Sequence, residues 1–473
     1  MRFDEYRKHD AVALAALVAK GDVTAGELLE LAIARAEQVN PAINAIVRTQ
    51  YPRARAAIAA GLPNGPLRGV PYLLKDLSIF EKDVPAGLGS ALYSNFVPDH
   101  DSGYTVRCKR AGLVIMGRSA TPELGLSPST EPLQYGPCRN PWNLSYSPGG
   151  SSGGAAAAVS AGVLPMAHAT DGGGSIRTPA AHCALFGLKP SRGRVSYAPD
   201  AGEGWGGLAV THAVSRSVRD SALLLDLTSG IEPGDPYTAP APPRPFMEEI
   251  GRAPGRLKIA MMRHDHRGAA LHPECVKAVE NAAALCESLG HVVEEAGPDI
   301  NLADLRPKNQ ILLCANVARA LTIRWRALKR EPSPNDVEAL TWSVFNRGRA
   351  VTGLQYANAV AAVHAAGRKL ADFLSSHDVI LTTTLPAPPP PLGYFDMNGD
   401  VATFSARAAE YLSITPLYNS TGIPAMTVPL HWTSDGLPVG VHFGGRYGEE
   451  GTLLRLAAQL EQAQPWFDRH PPI

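Results

Sequence analysis

Apolar positions along the chain recur with different spacings, and each spacing predicts a different element. From Thr24 onward, Leu28, Leu31, Ala32 and Val39 repeat at helical intervals, with Thr24 and Glu27 placed as a capping box over the first turn. The pattern predicts an amphipathic helix ending at Asn40-Pro41, because proline lacks the N–H that an interior turn requires. The run Gly69-Val-Pro-Tyr-Leu-Leu74 is apolar without alternation, which predicts a short strand buried on both faces. That strand delivers Lys75-Asp76, charges at the end of a buried element. Ala111 to Gly117 and Leu257 to Met262 read as further core strands, and Ser217 to Leu227 and Cys275 to Leu289 as helices. Alternation of the two types predicts an α/β sandwich. The Pro-rich stretches Glu232 to Pro245 and Pro386 to Gly393 separate no regions of different composition, so they read as loops within one domain spanning 1–473.

Composition narrows the function classes. Hydrophobic residues make up 45% and charged residues 19% of the 473, the balance of a soluble globular protein. Lys plus Arg and Asp plus Glu each total 44, so no net field draws the chain to nucleic acid or to anionic membranes. The six cysteines are scattered with no C-x-x-C pair, which points to reduced thiols. A polar N-terminus without a secretory pattern makes a cytoplasmic location the expectation. The uncharged run from Asn140 to Thr170 is mostly Gly, Ser, Ala and Pro, too weakly apolar for a membrane span.

Candidate chemistry concentrates in Ser147-Pro-Gly-Gly-Ser-Ser-Gly-Gly154 and Ala169-Thr-Asp-Gly-Gly-Gly-Ser-Ile-Arg177, two Gly/Ser clusters flanking an Ala-rich helix. Glycines let backbone N–H groups converge on one oxygen, so Gly172-Gly173-Gly174 before Ser175 has the makings of an oxyanion hole. A serine nucleophile needs a base. His168 and His182 are near in sequence, but neither is coupled to an acid at a recognisable spacing. Lys75 is the other option, provided that burial lowers its pKa. Gly150-Ser-Ser-Gly-Gly154 also fits G-x-S-x-G, which would make Ser152 the nucleophile of an α/β-hydrolase esterase, although the preceding Asn140 to Pro148 is loop-like rather than a strand. His264-Asp265-His266 reads as an exposed strand end rather than a metal site, and Gly202-Glu-Gly-Trp-Gly-Gly207 as a loop near the pocket rather than a dinucleotide site.

Together, Gly69-Val-Pro-Tyr-Leu-Leu-Lys-Asp76, Gly149-Gly-Ser-Ser-Gly-Gly154 and Thr170-Asp-Gly-Gly-Gly-Ser-Ile-Arg177 resemble the amidase signature family. Arg139-Asn-Pro-Trp142, Gly187-Leu-Lys-Pro190, Asn419-Ser-Thr-Gly-Ile-Pro424 and Gly436-Leu-Pro-Val-Gly440 are similar to further landmarks of that family in its order. The resemblance implies a single α/β/α domain around a mixed central sheet, with a signature core at about 69–195. It also implies that Ser175 is the nucleophile, Ser151, after a cis Gly150-Ser151 peptide, the bridging serine, and Lys75 the base. Backbone N–H groups of Gly172, Gly173, Gly174 and Ser175 would form the oxyanion hole, and Asp171 and Arg177 would hold the loop. Activity would need neutral Lys75 and rise with pH into the alkaline range.

Where many family members carry a side chain, this chain has Gly172, which is expected to widen the pocket floor. Gly69 to Leu77 and Thr130-Glu-Pro132 look most like the aminohexanoate cyclic-dimer hydrolase branch, implying an uncharged amide, lactam-type oligomer, aryl acylamide or carbamate (urethane) as the small-molecule substrate. Pocket residues are expected in the variable stretch of about 304–411, with Trp342 of the apolar Ala339 to Phe345 segment the first candidate. A glutaminase subunit of an amidotransferase is the alternative, which would need charged groups to grip glutamine. No cofactor or metal is implied, and a monomer or homodimer is expected.

Overall fold

Eleven strands and the helices between them are described across residues 1–473 of a computed structural model. The strands are β1 (Ile46–Thr49), β2 (Pro71–Lys75), β3 (Val114–Ser119), β4 (Met166–Asp171), β5 (Phe186–Lys189), β6 (Val210–Ser215), β7 (Lys258–Met261), β8 (Val292–Glu295), β9 (Val379–Thr383), β10 (Ala425–Trp432) and β11 (Pro438–Gly445). Eight of them form one mixed sheet in the order β4-β6-β5-β10-β11-β9-β7-β8. Pairing is antiparallel from β4 to β9 and parallel across β9, β7 and β8. Helices such as Pro273–Ser288 and Glu450–Ala463 pack on it, giving the expected α/β/α layering. The charged strand end belongs elsewhere: β2 sits in a separate three-stranded sheet ordered β1-β3-β2.

The Ala-rich helix Gly153–Ser160 joins the two sheets, packing against β2, β3 and β4. All eight of its residues are buried, and a Cβ on Gly154 would collide with the backbone of Ala120 and Ala45. Small side chains are therefore what lets the helix lie between strands at this distance. Its N-terminal end holds Ser151 and Ser152 beneath the end of β2.

Two local expectations differ from what the chain does. The helix that begins after Thr24 runs Ala25–Ile43, through Pro41, with the capping box of Thr24 and Glu27 in place. Pro41 has no N–H to give the carbonyl of Glu37, an exposed residue, and the helix continues past it. The helix stops instead at Asn44, left-handed at φ 49°, while the Asn40 side chain accepts the N–H groups of Ala45 and Ile46 at 2.8 Å and leads the chain into β1. His264-Asp265-His266 is not an exposed strand end. Asp265 and His266 are buried, and the Asp265 carboxylate anchors a turn by accepting the N–H groups of Arg267 and Ala269. All six cysteines are free and buried, and no helix is long and apolar enough to cross a membrane.

Candidate active site

Lys75 ends β2 fully buried, and Ser151 follows the cis Gly150-Ser151 peptide at the foot of the Ala-rich helix. Lys75 Nζ lies 2.8 Å from Ser151 Oγ, 2.9 Å from Ser152 Oγ and 2.9 Å from Thr170 Oγ1. Burial pushes the Lys75 pKa well below the ordinary lysine range, and the charge of Asp171 opposes that only in part. A neutral amine has two N–H groups and one lone pair, so three hydroxyl neighbours satisfy it when two accept and one donates. Ser152 is an acceptor here, because its own O–H is directed at the Thr170 carbonyl while its oxygen takes the Thr170 N–H, both at 3.3 Å. Ser151 is thus well placed to direct its proton at Lys75. Thr170 was not anticipated, although strand alternation points to it. It stands two positions after His168 on β4, and His168 Nδ1 accepts the Lys75 backbone N–H at 3.1 Å.

Neither nearby histidine is free to act as a base. With Nδ1 accepting, His168 donates from Nε2 to Thr211 Oγ1 at 2.7 Å, and His182 is spent on the Ser147 carbonyl and the Tyr411 hydroxyl. Both are buried, and burial lowers both pKa values, that of His182 to about 3.

Ser175 follows β4 and the three glycines, half-buried on the wall of a cavity of about 560 Å³. Gly150 lines the same cavity, but Ser175 makes no hydrogen bond to Ser151, so the structure brings Lys75 and Ser151 together and leaves the Ser151–Ser175 contact open. Catalytic hydrogen bonds commonly tighten only when substrate binds. The N–H groups of Gly172, Gly173 and Ser175 have no protein acceptor. That of Gly174 is different from the expectation: it donates to Asp171 Oδ1 at 2.7 Å and is not available to an oxyanion. The geometry leaves three candidate donors rather than four.

Asp171 and Arg177 set this loop. Burial alone would raise the Asp171 pKa, but the Arg177 charge and hydrogen bonds override it and hold the carboxylate below its usual range. Arg177 meets Asp171 with two bonds of 2.9 Å, and Asn419 Nδ2 adds another of 2.9 Å. Thr415 Oγ1 donates to the Gly173 carbonyl at 2.7 Å, and Gly174 at φ 132° has no room for a Cβ against the same threonine. The glycine is required there by both conformation and space.

The cavity corrects three pocket expectations. Trp342 does not line it; its ring packs against Trp325 and Phe345, 6.3 and 5.4 Å between centroids, and its helix contributes Leu340 and Val344 instead. The aromatics on the wall are Trp205, from the 202–207 loop, and Phe404. A Cβ at residue 172 would lie 2.7 Å from the Trp205 ring, so the space released by Gly172 is filled by indole and the floor is not widened. Finally, the pocket is not free of charge. Its apolar wall includes Leu313 and Phe404, but Arg267, Arg306 and Arg347 also line it, with no Asp or Glu among the lining residues. These arginines are scattered in sequence and carried no signal.

Known proteins are similar to this chain over nearly its whole length. The amidase family model matches residues 27–454. The 6-aminohexanoate-cyclic-dimer hydrolase of Paenarthrobacter ureafaciens is 38% identical over 477 residues, covering 98% of this chain and 96% of that protein. A structure of 6-aminohexanoate cyclic dimer hydrolase complexed with substrate superposes with a TM-score of 0.93 at 36% identity, covering 98% of each chain. A bacterial aryl acylamidase of the amidase signature family superposes with a TM-score of 0.87 at 25% identity, over 97% of this chain and 96% of its own. The chain belongs to the amidase signature family, hydrolases of carbon–nitrogen bonds other than peptide bonds that characteristically carry a Ser-Ser-Lys triad.

Proposed function

We propose that this protein hydrolyses an amide or carbamate through an acyl-enzyme on Ser175, with Ser151 as relay and Lys75 as base. The observation that carries the reading is the buried Lys75, its pKa lowered by burial, held 2.8 Å from Ser151 beside a cavity whose wall contains Ser175. Ser175 Oγ attacks the carbonyl carbon as its proton passes to Ser151 and the Ser151 proton passes to Lys75. The tetrahedral oxyanion is stabilised by the free N–H groups among Gly172, Gly173 and Ser175, each important donor contributing about 3–4 kcal/mol. Collapse expels the amine, which takes the proton back along the same path, and water then hydrolyses the acyl-enzyme with the relay repeated. Leu313, Leu340, Val344, Phe404 and Trp205 provide an apolar wall for an alkyl chain or an aryl ring next to the reacting bond. Likeness to an aryl acylamidase and to a hydrolase of a cyclic amide dimer supports aryl acylamides and lactam-type amides as the classes to try first.

A fluorophosphonate probe followed by tandem mass spectrometry tests the assignment. The labelled peptide is expected to carry the modification on Ser175, and Ser175→Ala to lose labelling and turnover together. Ser152 is fully buried and absent from the cavity wall. Labelling at Ser152 that persists in Ser175→Ala would overturn the proposal in favour of the elbow serine.

A further inference from the structure

Two of the three cavity arginines lack the carboxylate partner that surface arginines usually find. Arg267 is paired, its guanidinium 2.8 Å from Asp265. Arg306, half-buried on the helix Leu302–Ala327, donates one N–H to the Ser405 carbonyl at 2.9 Å and meets no carboxylate. Arg347, on the helix Ala339–Arg349, is exposed, and its guanidinium makes no hydrogen bond or ion pair within the protein. Burial, and then the charges of Arg267 and Arg347, pull the Arg306 pKa below that of an ordinary guanidinium, so the three cations feel one another. Gathering like charges on one wall costs free energy in the empty protein. An anion seated among them removes that cost and accepts from several N–H groups at once, an arrangement that guanidinium geometry favours for carboxylates.

We propose that Arg306 and Arg347, assisted by Arg267, bind a carboxylate carried by the substrate away from its scissile bond. This rests on the Ser175 reading above and deepens it: the preferred substrate is an amide that is apolar around the reacting carbonyl and anionic at a remote end. The lining also disfavours a free amino acid amide such as glutamine, whose ammonium would find three cations and no acidic residue in the cavity.

Two matched pairs of substrates test the inference. On the acyl side, adipic acid mono-4-nitroanilide is compared with hexanoyl 4-nitroanilide; on the amine side, N-hexanoyl-4-aminobenzoate is compared with its methyl ester. In one pair the anionic member is expected to have the higher kcat/KM, by about 10- to 100-fold at low ionic strength, the range of a hydrogen-bonded charge contact. The advantage is expected mainly in KM and to shrink as salt is added, because part of the site is exposed. The ratio within that pair is expected to fall towards one in Arg306→Gln and in Arg347→Gln, and to be partly kept in Arg306→Lys. The Arg347 guanidinium bonds to nothing in the protein, so its variant reports on the ligand even if Arg306→Gln disturbs the contact with Ser405. Hydrolysis of the neutral members with no anionic preference in either pair would overturn the arginine assignment alone. No hydrolysis of any of the four would overturn the amidohydrolase reading and this inference with it.

Discussion

Lys75 governs the pH dependence expected of this protein. A protonated ammonium cannot take the Ser151 proton, so activity appears as pH rises through the folded-state pKa of Lys75. Burial has moved that pKa well below the ordinary lysine value of 10.5, so the rising limb of kcat/KM is expected at lower pH than an exposed lysine would give. A pH–rate profile on a neutral anilide is expected to show that limb, and Lys75→Ala to abolish anilide turnover while sparing part of the reaction with an activated ester, whose leaving group needs no proton. A flat profile with chemistry rate-limiting would contradict the assignment. At the same scale, Trp205 and Trp342 are expected to behave differently. Trp205→Ala removes cavity wall and is expected to shift the aryl-to-alkyl substrate ranking by about tenfold, the worth of one aromatic contact. Trp342→Ala removes packing against Trp325 and Phe345 and is expected to cost about 1–3 kcal/mol of stability with the ranking unchanged. Measuring both variants on the same two substrates separates a wall residue from a core residue.

The loop after β4 is the element on which the oxyanion donors depend, and its rigidity comes from one buried carboxylate. Asp171 accepts from Gly174, Ile176, Arg177 and Asn419, so a single side chain sets the direction of several backbone units. Asp171→Asn leaves the fully buried Arg177 uncompensated and is expected to destabilise the protein by about 3–5 kcal/mol. The sign of the pH effect follows from the lowered folded-state pKa. Asp171 contributes its stability above the unfolded value of about 3.9 and loses it as pH falls through the folded value. Denaturant titrations are expected to show the gap between wild type and Asp171→Asn closing as the buffer is made strongly acidic. The family resemblance implies that Asp171 and Arg177 hold this loop. It also assigns Gly174 to the oxyanion, wrongly, because only the folded loop shows that its N–H is taken by Asp171.

On the scale of the molecule, the candidate site exists only where two sheets meet. Lys75 comes from the three-stranded sheet, Thr170 from the end of β4 in the eight-stranded one, Ser175 from the loop after β4, and Ser151 from the turn leading into the helix that joins the sheets. What the sequence determined by itself was local: apolar runs that become buried strands, a capping box, glycines where no side chain fits, and contiguous motifs with enough information to identify the family. Such features depend on neighbours along the chain, and their physics is visible at short range. The pocket was decided by tertiary structure. Trp205 fills the space left by Gly172 although the two are far apart in sequence, Trp342 packs against Trp325 and Phe345 although its segment reads as pocket wall, and Arg267, Arg306 and Arg347 reach one cavity wall from three separate segments. No periodicity records such meetings, because side-chain direction and charge proximity are set by packing between elements rather than by order within them.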